Sequence, residues 1–378
     1  MRIGIEGQRL FRQKKHGMDM VALELINELQ TIDSQNEYFV FAKPDEDRAC
    51  LKAKANFNII ELEGGSYPFW EQRALPEAAK KHRCDLLHCT SNTAPMKAEM
   101  PLVVTVHDMI YMEKFPLFAP GFNWYQRLGN TYRRYVVPRV IKGARKVITV
   151  SNYEKKRMSD FFALDENRLQ AVYNGVSQHF KVIDDKNELK RIKEKYKLPD
   201  KFLFFLGNTD PKKNTARVLR AYSIYRKQAA EPLPLLMPDY DLTALKKILS
   251  DISDPGLIEH IQLTGYIHNS ELPGIYNQCD VFLYPSMRES FGIPILEGMA
   301  CGVPVITSNA ASMPEVSGGA AFLVDPLKPE EIVEGIFKIQ KDDKLRADLI
   351  EKGIKRASEF TWHKMAEEVL EIYKEIGQ

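Results

Sequence analysis

A chain of 378 residues, 44% hydrophobic and 28% charged, has the make-up of a soluble globular protein and is long enough for two domains. Its net charge of +2 excludes a strong global field for nucleic acid, and no apolar run approaches the ~18 residues of a membrane span. Five cysteines, odd in number and without metal-type spacing, read as reduced thiols of a cytoplasmic protein, and Met1–Glu6 is too short and polar to open a signal peptide.

The amino-terminal half alternates strand-like and helix-like segments, the pattern of a parallel α/β sheet. Arg2 to Glu6 predicts the first strand. A polar, basic loop from Gln8 to His16 follows, then a helix from Gly17 to Gln30 with Val21, Leu25, Ile26 and Leu29 on one face. Further strands are predicted over Tyr38 to Phe41, Phe57 to Leu62 and Asp85 to Cys89. Leu102 to Val106 is a strand running into His107-Asp108. A histidine at the carboxyl end of a central strand faces the ligand crevice of such a sheet; a satisfied structural histidine is the other reading. Asp108 is expected to brace its loop.

From Pro116 to Tyr153 the chain has no acidic residue, while Arg127, Arg133, Arg134, Arg139, Lys142, Arg145 and Lys146 all occur, with Trp124, Tyr125, Tyr132 and Tyr135 interleaved. This composition suits contact with an anionic membrane or a phosphate-bearing acceptor, or else a solvated helix face. No recognition module accompanies it to make it a nucleic-acid site. Ser151-Asn152 caps a helix from Tyr153 to Phe162, and a strand from Leu169 to Tyr173 leads to a hinge at about 177–186.

The second half opens with a strand from Phe202 to Leu206 and the loop Gly207-Asn208-Thr209-Asp210-Pro211-Lys212-Lys213-Asn214. A strand, a glycine loop and a lysine before a helix suit a diphosphate, which backbone N–H groups cradle and an ammonium neutralises. It is no Walker motif, and a solvated helix start is the alternative. Met237-Pro238-Asp239-Tyr240-Asp241 contains an Asp-x-Asp to which no metal is assigned.

The densest signal runs from Val281 to Ser308: a buried strand, a loop, a short helix opening at Pro294 and a second buried strand. Glu289-Ser290-Phe291-Gly292 fills the loop, and Glu297 is expected in the first helical turn. Loops at the carboxyl ends of parallel strands bind ligands, a helix N-terminus favours an anion, and Gly292 lets backbone approach it. Two carboxylates beside a phosphate site do not bind the phosphate. They accept hydrogen bonds from sugar hydroxyls, so the stretch reads as a nucleotide-sugar pocket.

Two glutamates eight residues apart in ESFGIPILEGMACGVPVI resemble the signature of the retaining glycosyltransferases of family 4. That resemblance implies an α/β fold of GT-B type, with two Rossmann-like domains facing across a cleft. The acceptor-side domain would span 1–180 and include a returning helix over 360–378; the nucleotide-sugar domain would span 181–359. It implies that Glu289 contacts donor-sugar hydroxyls, Glu297 the ribose and Lys213 the diphosphate, with His107 reaching the sugar near its anomeric phosphate. Gly17 would border the donor phosphates, Tyr266 would neighbour the base, and Asn208, Ser290, Phe291 and Gly292 would line the donor site. Ser290 and Asn208 depart from the family, which most often has glycine and arginine there.

The implied activity is transfer of a hexose from a nucleoside diphosphate sugar to a glycan or lipid-linked acceptor in surface polysaccharide or lipopolysaccharide synthesis. Configuration would be retained, with no metal or other cofactor. GDP-mannose is preferred as donor because NTAPMK…VVTVHDMIY resembles bacterial mannosyltransferases. A nucleotide-sugar epimerase of the same fold and a non-catalytic sugar-nucleotide binder are the alternatives. The expected location is the cytoplasm, with peripheral contact to the inner face of the membrane through 116–153.

Overall fold

The computed structural model describes residues 1–112 and 124–377, with side chains from 128 onward in the second segment. Two compact units emerge: Met1–Gly175 together with Trp362–Gln378, and Val176–Thr361.

In the first unit, seven strands form one parallel sheet: β1 (Arg2–Gly7), β2 (Glu37–Ala42), β3 (Phe57–Glu61), β4 (Leu86–Cys89), β5 (Leu102–Thr105), β6 (Lys146–Thr149) and β7 (Leu169–Ala171). Their order is β3-β2-β1-β4-β5-β6-β7. Near-continuous apolar strands such as Leu102–Thr105, buried at every residue, are what a sheet covered on both faces requires. The core joins Phe39, Trp70, Leu87, Val104, Val137 and Ile141. Trp362–Gly377 packs against the helix Gly17–Ile32, and its Tyr373 hydroxyl meets His88 Nδ1 at 2.6 Å.

In the second unit, six parallel strands take the order β10-β9-β8-β11-β12-β13. They are β8 (Leu203–Phe205), β9 (Leu235–Met237), β10 (Ile261–Leu263), β11 (Val281–Tyr284), β12 (Val305–Ser308) and β13 (Phe322–Val324). Leu203, Phe205, Leu219, Tyr222, Leu283 and Ile336 are among the residues of its core. The chain enters this unit at Val176, whose N–H donates to the carbonyl of Phe360 at 3.0 Å, two residues before the chain leaves it.

Both sheets have the Rossmann winding: order reverses between β1 and β4, and again between β8 and β11. Loops from two neighbouring strands then diverge to opposite faces and leave a crevice at the carboxyl edge, where such folds bind ligands.

Three expectations need correction. The helix after Gly292 is Ile293–Ala300, not one opening at Pro294, because Gly292 takes a left-handed φ of +97° and caps it there. Glu297 is therefore the fifth helical residue and begins the second turn. Several strands, among them β3, β5, β7 and β8, end one or two residues earlier than their apolar runs, while β1 and β2 run one residue further. Residues 116–123 of the basic stretch, the side chains of Trp124, Tyr125 and Arg127, and Gln378 of the terminal helix lie outside the described residues.

Candidate active site

The loops after β8 and β11 meet at the second unit's switch point. Asp210 caps the turn Pro211–Lys213 by accepting from the Lys212 N–H at 3.0 Å. Asn214 follows in a left-handed conformation (φ +62°), which its short amide tolerates. Its Nδ2 donates to the carbonyls of Pro285 (3.0 Å) and Pro326 (2.7 Å), stapling three strand-end loops together. Asn208 accepts from the Asp210 N–H at 2.9 Å and so shapes its own turn; it is exposed.

That staple brings Lys213 to Glu289. Lys213 Nζ lies 2.7 Å from Glu289 Oε1 and 2.6 Å from the Tyr284 hydroxyl, which itself donates to Glu289 Oε1 at 3.0 Å. The ammonium also stands 4.6 Å from the Tyr284 ring centroid. Both charged side chains are only 15% and 11% exposed, so the pair is weakly screened by solvent. The Ser312 hydroxyl donates to the carbonyls of Glu289 (2.8 Å) and Phe291 (3.0 Å), pinning the loop that carries Ser290. Phe291 is buried edge-on against Phe360 at 5.8 Å.

Glu297 accepts a hydrogen bond from the Tyr276 hydroxyl at 3.3 Å. Burial pushes its carboxyl up to about 7, opposed by that bond and by the attraction of Lys213. Its folded pKa stands above its unfolded value of about 4.5. Ionising it therefore costs stability as pH rises from about 4.5 to about 7, and the cost is constant above that. Glu297→Gln, which cannot ionise, is expected to raise the melting temperature at pH 8 by the equivalent of about 1–3 kcal/mol, discounted for partial exposure, and to give no gain at pH 4.5. Thermal melts at the two pH values check this; an equal gain at both would contradict it.

Tyr266 lies apart from this cluster. It is 60% exposed beyond β10, edge-on to His268 at 5.2 Å. Asp241 of the Asp-x-Asp caps the helix Leu242–Asp251, accepting from the Ala244 N–H at 2.6 Å.

In the first unit, His107 follows β5 and is buried. Its N–H donates to Asn92 Oδ1 (2.6 Å), and its Nε2 lies 2.9 Å from the Thr90 carbonyl. A carbonyl only accepts, so Nε2 carries the proton and Nδ1 keeps a lone pair. Burial pushes the pKa down, holding the ring neutral. Asp108 accepts from the Ile110 N–H at 3.0 Å, bracing the loop. Gly17 opens its helix, and a Cβ there would meet nothing within 4 Å, so packing does not demand glycine.

The structure thus unites Lys213, Glu289 and Glu297 with the Ser290–Gly292 loop, and leaves Tyr266 outside their contacts. Tyr284, Tyr276, Asn214 and Ser312 escaped sequence reasoning; a tyrosine closing a central strand was the one signal available for Tyr284.

The basic stretch resolves into two kinds of residue. Arg134 donates to the Tyr111 carbonyl and Arg133 to Asn130 Oδ1 (3.4 Å), both half-buried. Lys142 and Arg145 are exposed and, with Lys97, Arg139 and Arg168, line a groove of about 640 Å³ over Met96 and Met100. It opens where β5 and β6 begin, at the sheet edge opposite His107. Among the described residues, no helix is long and apolar enough to cross a membrane.

The family model for glycosyltransferase family 4 matches residues 16–179, and that for glycosyl transferases group 1 matches residues 185–356. The chain is 26% identical over 374 residues to the serotype-specific mannosyltransferase WbdA of Escherichia coli, covering 94% of this chain and 45% of that protein. It is 28% identical over 238 residues to the O-antigen chain mannosyltransferase B of Escherichia coli, covering 62% and 61%. The chain thus spans about half the length of these relatives. Anabaena HepE, solved with UDP, superposes with a TM-score of 0.73 at 18% identity over 99% of this chain and 100% of HepE, a likeness of fold. The paired Rossmann-like units, the carboxyl-edge site and the two matches together make the chain a member of the GT-B glycosyltransferases that join a family 4 amino-terminal half to a group 1 carboxyl-terminal half.

Proposed function

We propose that the protein transfers a hexose, with mannose from GDP-mannose preferred, from a nucleoside diphosphate sugar to a glycan or lipid-linked glycan in surface polysaccharide or lipopolysaccharide synthesis. The observation that carries this reading is the Lys213–Glu289–Tyr284 cluster beside Glu297 at a Rossmann switch point. One cation, two carboxylates and a helix start match a diphosphate flanked by sugar hydroxyls. The preference for mannose is supported by relatives named as mannosyltransferases.

In this reading the diphosphate takes Lys213 from Glu289. The freed carboxylate accepts donor-sugar hydroxyls, Glu297 accepts from the ribose, and Tyr266, exposed beyond β10, neighbours the base. The bond from the anomeric carbon to the β-phosphate oxygen breaks, and the acceptor oxygen bonds that carbon from the same face. Its proton passes to the departing phosphate, so configuration is retained without a separate base. Lys213 and the helix ends neutralise the leaving group, with no metal required.

Labelled GDP-mannose and UDP-hexoses, incubated with and without cell-envelope extract, test the reading. Extract-dependent incorporation with retained anomeric configuration, unaffected by EDTA, is expected. A changed free sugar without extract would mean an epimerase, and no turnover a binder. Loss of activity in EDTA with rescue by Mn²⁺ would end the metal-free mechanism.

The groove over Met96 and Met100 supports peripheral binding to an anionic membrane surface. Basic residues near such a surface contribute about 1 kcal/mol each, screened by salt. Lys142→Glu with Arg145→Glu is therefore expected to weaken binding to phosphatidylglycerol vesicles at least tenfold at low salt. Arg133 and Arg134 are unsuitable probes, being tied to neighbouring groups. Flotation of wild type and double variant to equal extents would reduce the groove to a solvated face.

A further inference from the structure

Hydrogen-bonding capacity in the first unit is left unmet at one edge. Among the described residues, the buried side-chain atoms without a hydrogen-bond partner are Arg2 Nε, Arg9 Nε, Asp19 Oδ1, Glu71 Oε1 and the Tyr111 hydroxyl. Arg2 begins β1 at the opposite edge and pairs with Glu37. The other four all follow carboxyl ends of strands: Arg9 and Asp19 after β1, Glu71 after β3 and Tyr111 after β5.

Glu71 is the most constrained of them. It is 2% exposed and sits in a single π turn, Trp70–Ala74, between helical turns, a local widening of the backbone common at functional sites. Glu71 Oε2 accepts from Thr93 Oγ1 at 2.7 Å and from the Tyr132 hydroxyl at 3.2 Å. Thr93 spends its proton on Glu71, so the Tyr67 hydroxyl, 2.6 Å away, donates to Thr93. Gln72 Nε2 in turn donates to Tyr132 at 2.8 Å.

Every hydroxyl proton in the cluster therefore points inward, and what remains on offer is acceptor capacity: Glu71 Oε1 and a lone pair of Tyr67. The Arg9 guanidinium lies 5.3 Å from the Tyr67 ring centroid, and its Nε–H is a buried donor without a hydrogen-bond partner among the described residues. Nearby Glu6 already accepts from the Gln8 and Thr90 N–H groups. Burial, with the charge of Glu6 adding to it, pushes Glu71 up to about 7. An anionic ligand is disfavoured beside two carboxylates. A ligand rich in hydroxyl donors is favoured, because an orphaned buried acceptor is costly until a donor reaches it.

We infer that Glu71, with Arg9 and the Tyr67–Thr93 pair, forms a saccharide subsite in the amino-terminal unit, where Glu71 Oε1 accepts hydrogen bonds from hydroxyls of the acceptor sugar. The inference rests on the glycosyltransfer reading and adds the residues that would select the acceptor.

Saturation-transfer NMR on the full chain, with the methyl α-pyranosides of mannose, glucose, galactose and N-acetylglucosamine as probes, tests it without any donor. Wild type is expected to bind at least one probe. Glu71→Gln keeps the shape but replaces the carboxylate, and is expected to weaken that binding about tenfold. Arg9→Ala, at the partly exposed rim, is expected to weaken it less. Calorimetric affinity for GDP or UDP should be unchanged in both. In transfer assays Glu71→Gln should raise the acceptor KM about tenfold. Probe binding absent from wild type, equal in Glu71→Gln, or lost together with nucleotide affinity would overturn the subsite. Glu71-dependent probe binding in a protein that turns over no nucleoside diphosphate sugar would instead uphold the subsite and overturn the transferase reading.

Discussion

Lys213→Ala is expected to lower affinity for GDP or UDP by about 10²-fold while leaving affinity for the bare nucleoside intact. Losing charge-assisted hydrogen bonds alone costs roughly 1.5–3 kcal/mol. The variant also strands the Glu289 carboxylate, 11% exposed and without its ammonium, beside the incoming anion. Both effects fall on the diphosphate. Titration calorimetry with the diphosphates and with guanosine and uridine measures the split. Equal losses for nucleoside and diphosphate would show that the lysine holds the loop rather than the ligand.

The mirror-image variant separates binding from turnover. Glu289→Ala is expected to cut kcat about 10²-fold or more, because the sugar loses the carboxylate that orients it. Affinity for the bare diphosphate should stay level or rise, since Lys213 no longer has a carboxylate at 2.7 Å to leave. Glu297→Ala should do the opposite, costing roughly 1.5–3 kcal/mol of diphosphate affinity through the ribose. Parallel losses of bare-diphosphate affinity in the two variants would dismiss this division of labour.

Much of the second unit's site was legible because its determinants are local. Gly292 and Pro294 punctuate a strand-loop-helix in which the two glutamates keep a fixed spacing, so the helix start moved by only one residue. Nothing local marks what holds the site together. Asn214 staples Pro285 and Pro326, 71 and 112 residues away, and Lys213 meets Tyr284 across 71 residues. Glu71 was passed over because Tyr67–Lys81 carries no clean period: a π turn between helical turns shifts the faces against one another. The basic stretch was legible only as composition. Composition reports charge but not partners, and Arg133 and Arg134 are occupied whereas Lys142 and Arg145 face solvent.

Residues 176–361 interrupt the first unit in sequence, and this sets an order of synthesis. Domains form as they leave the ribosome, the amino-terminal one usually first. Here the helix Trp362–Gly377, which supplies Tyr373 to His88 and covers Gly17–Ile32, emerges only after residues 176–361 have been made. The sheet that begins at Arg2 must wait through the synthesis of the whole second unit with one flank bare. The second unit has all its own strands and helices by Thr361 and is free to fold first. The first unit therefore cannot complete its packing until the second has been translated.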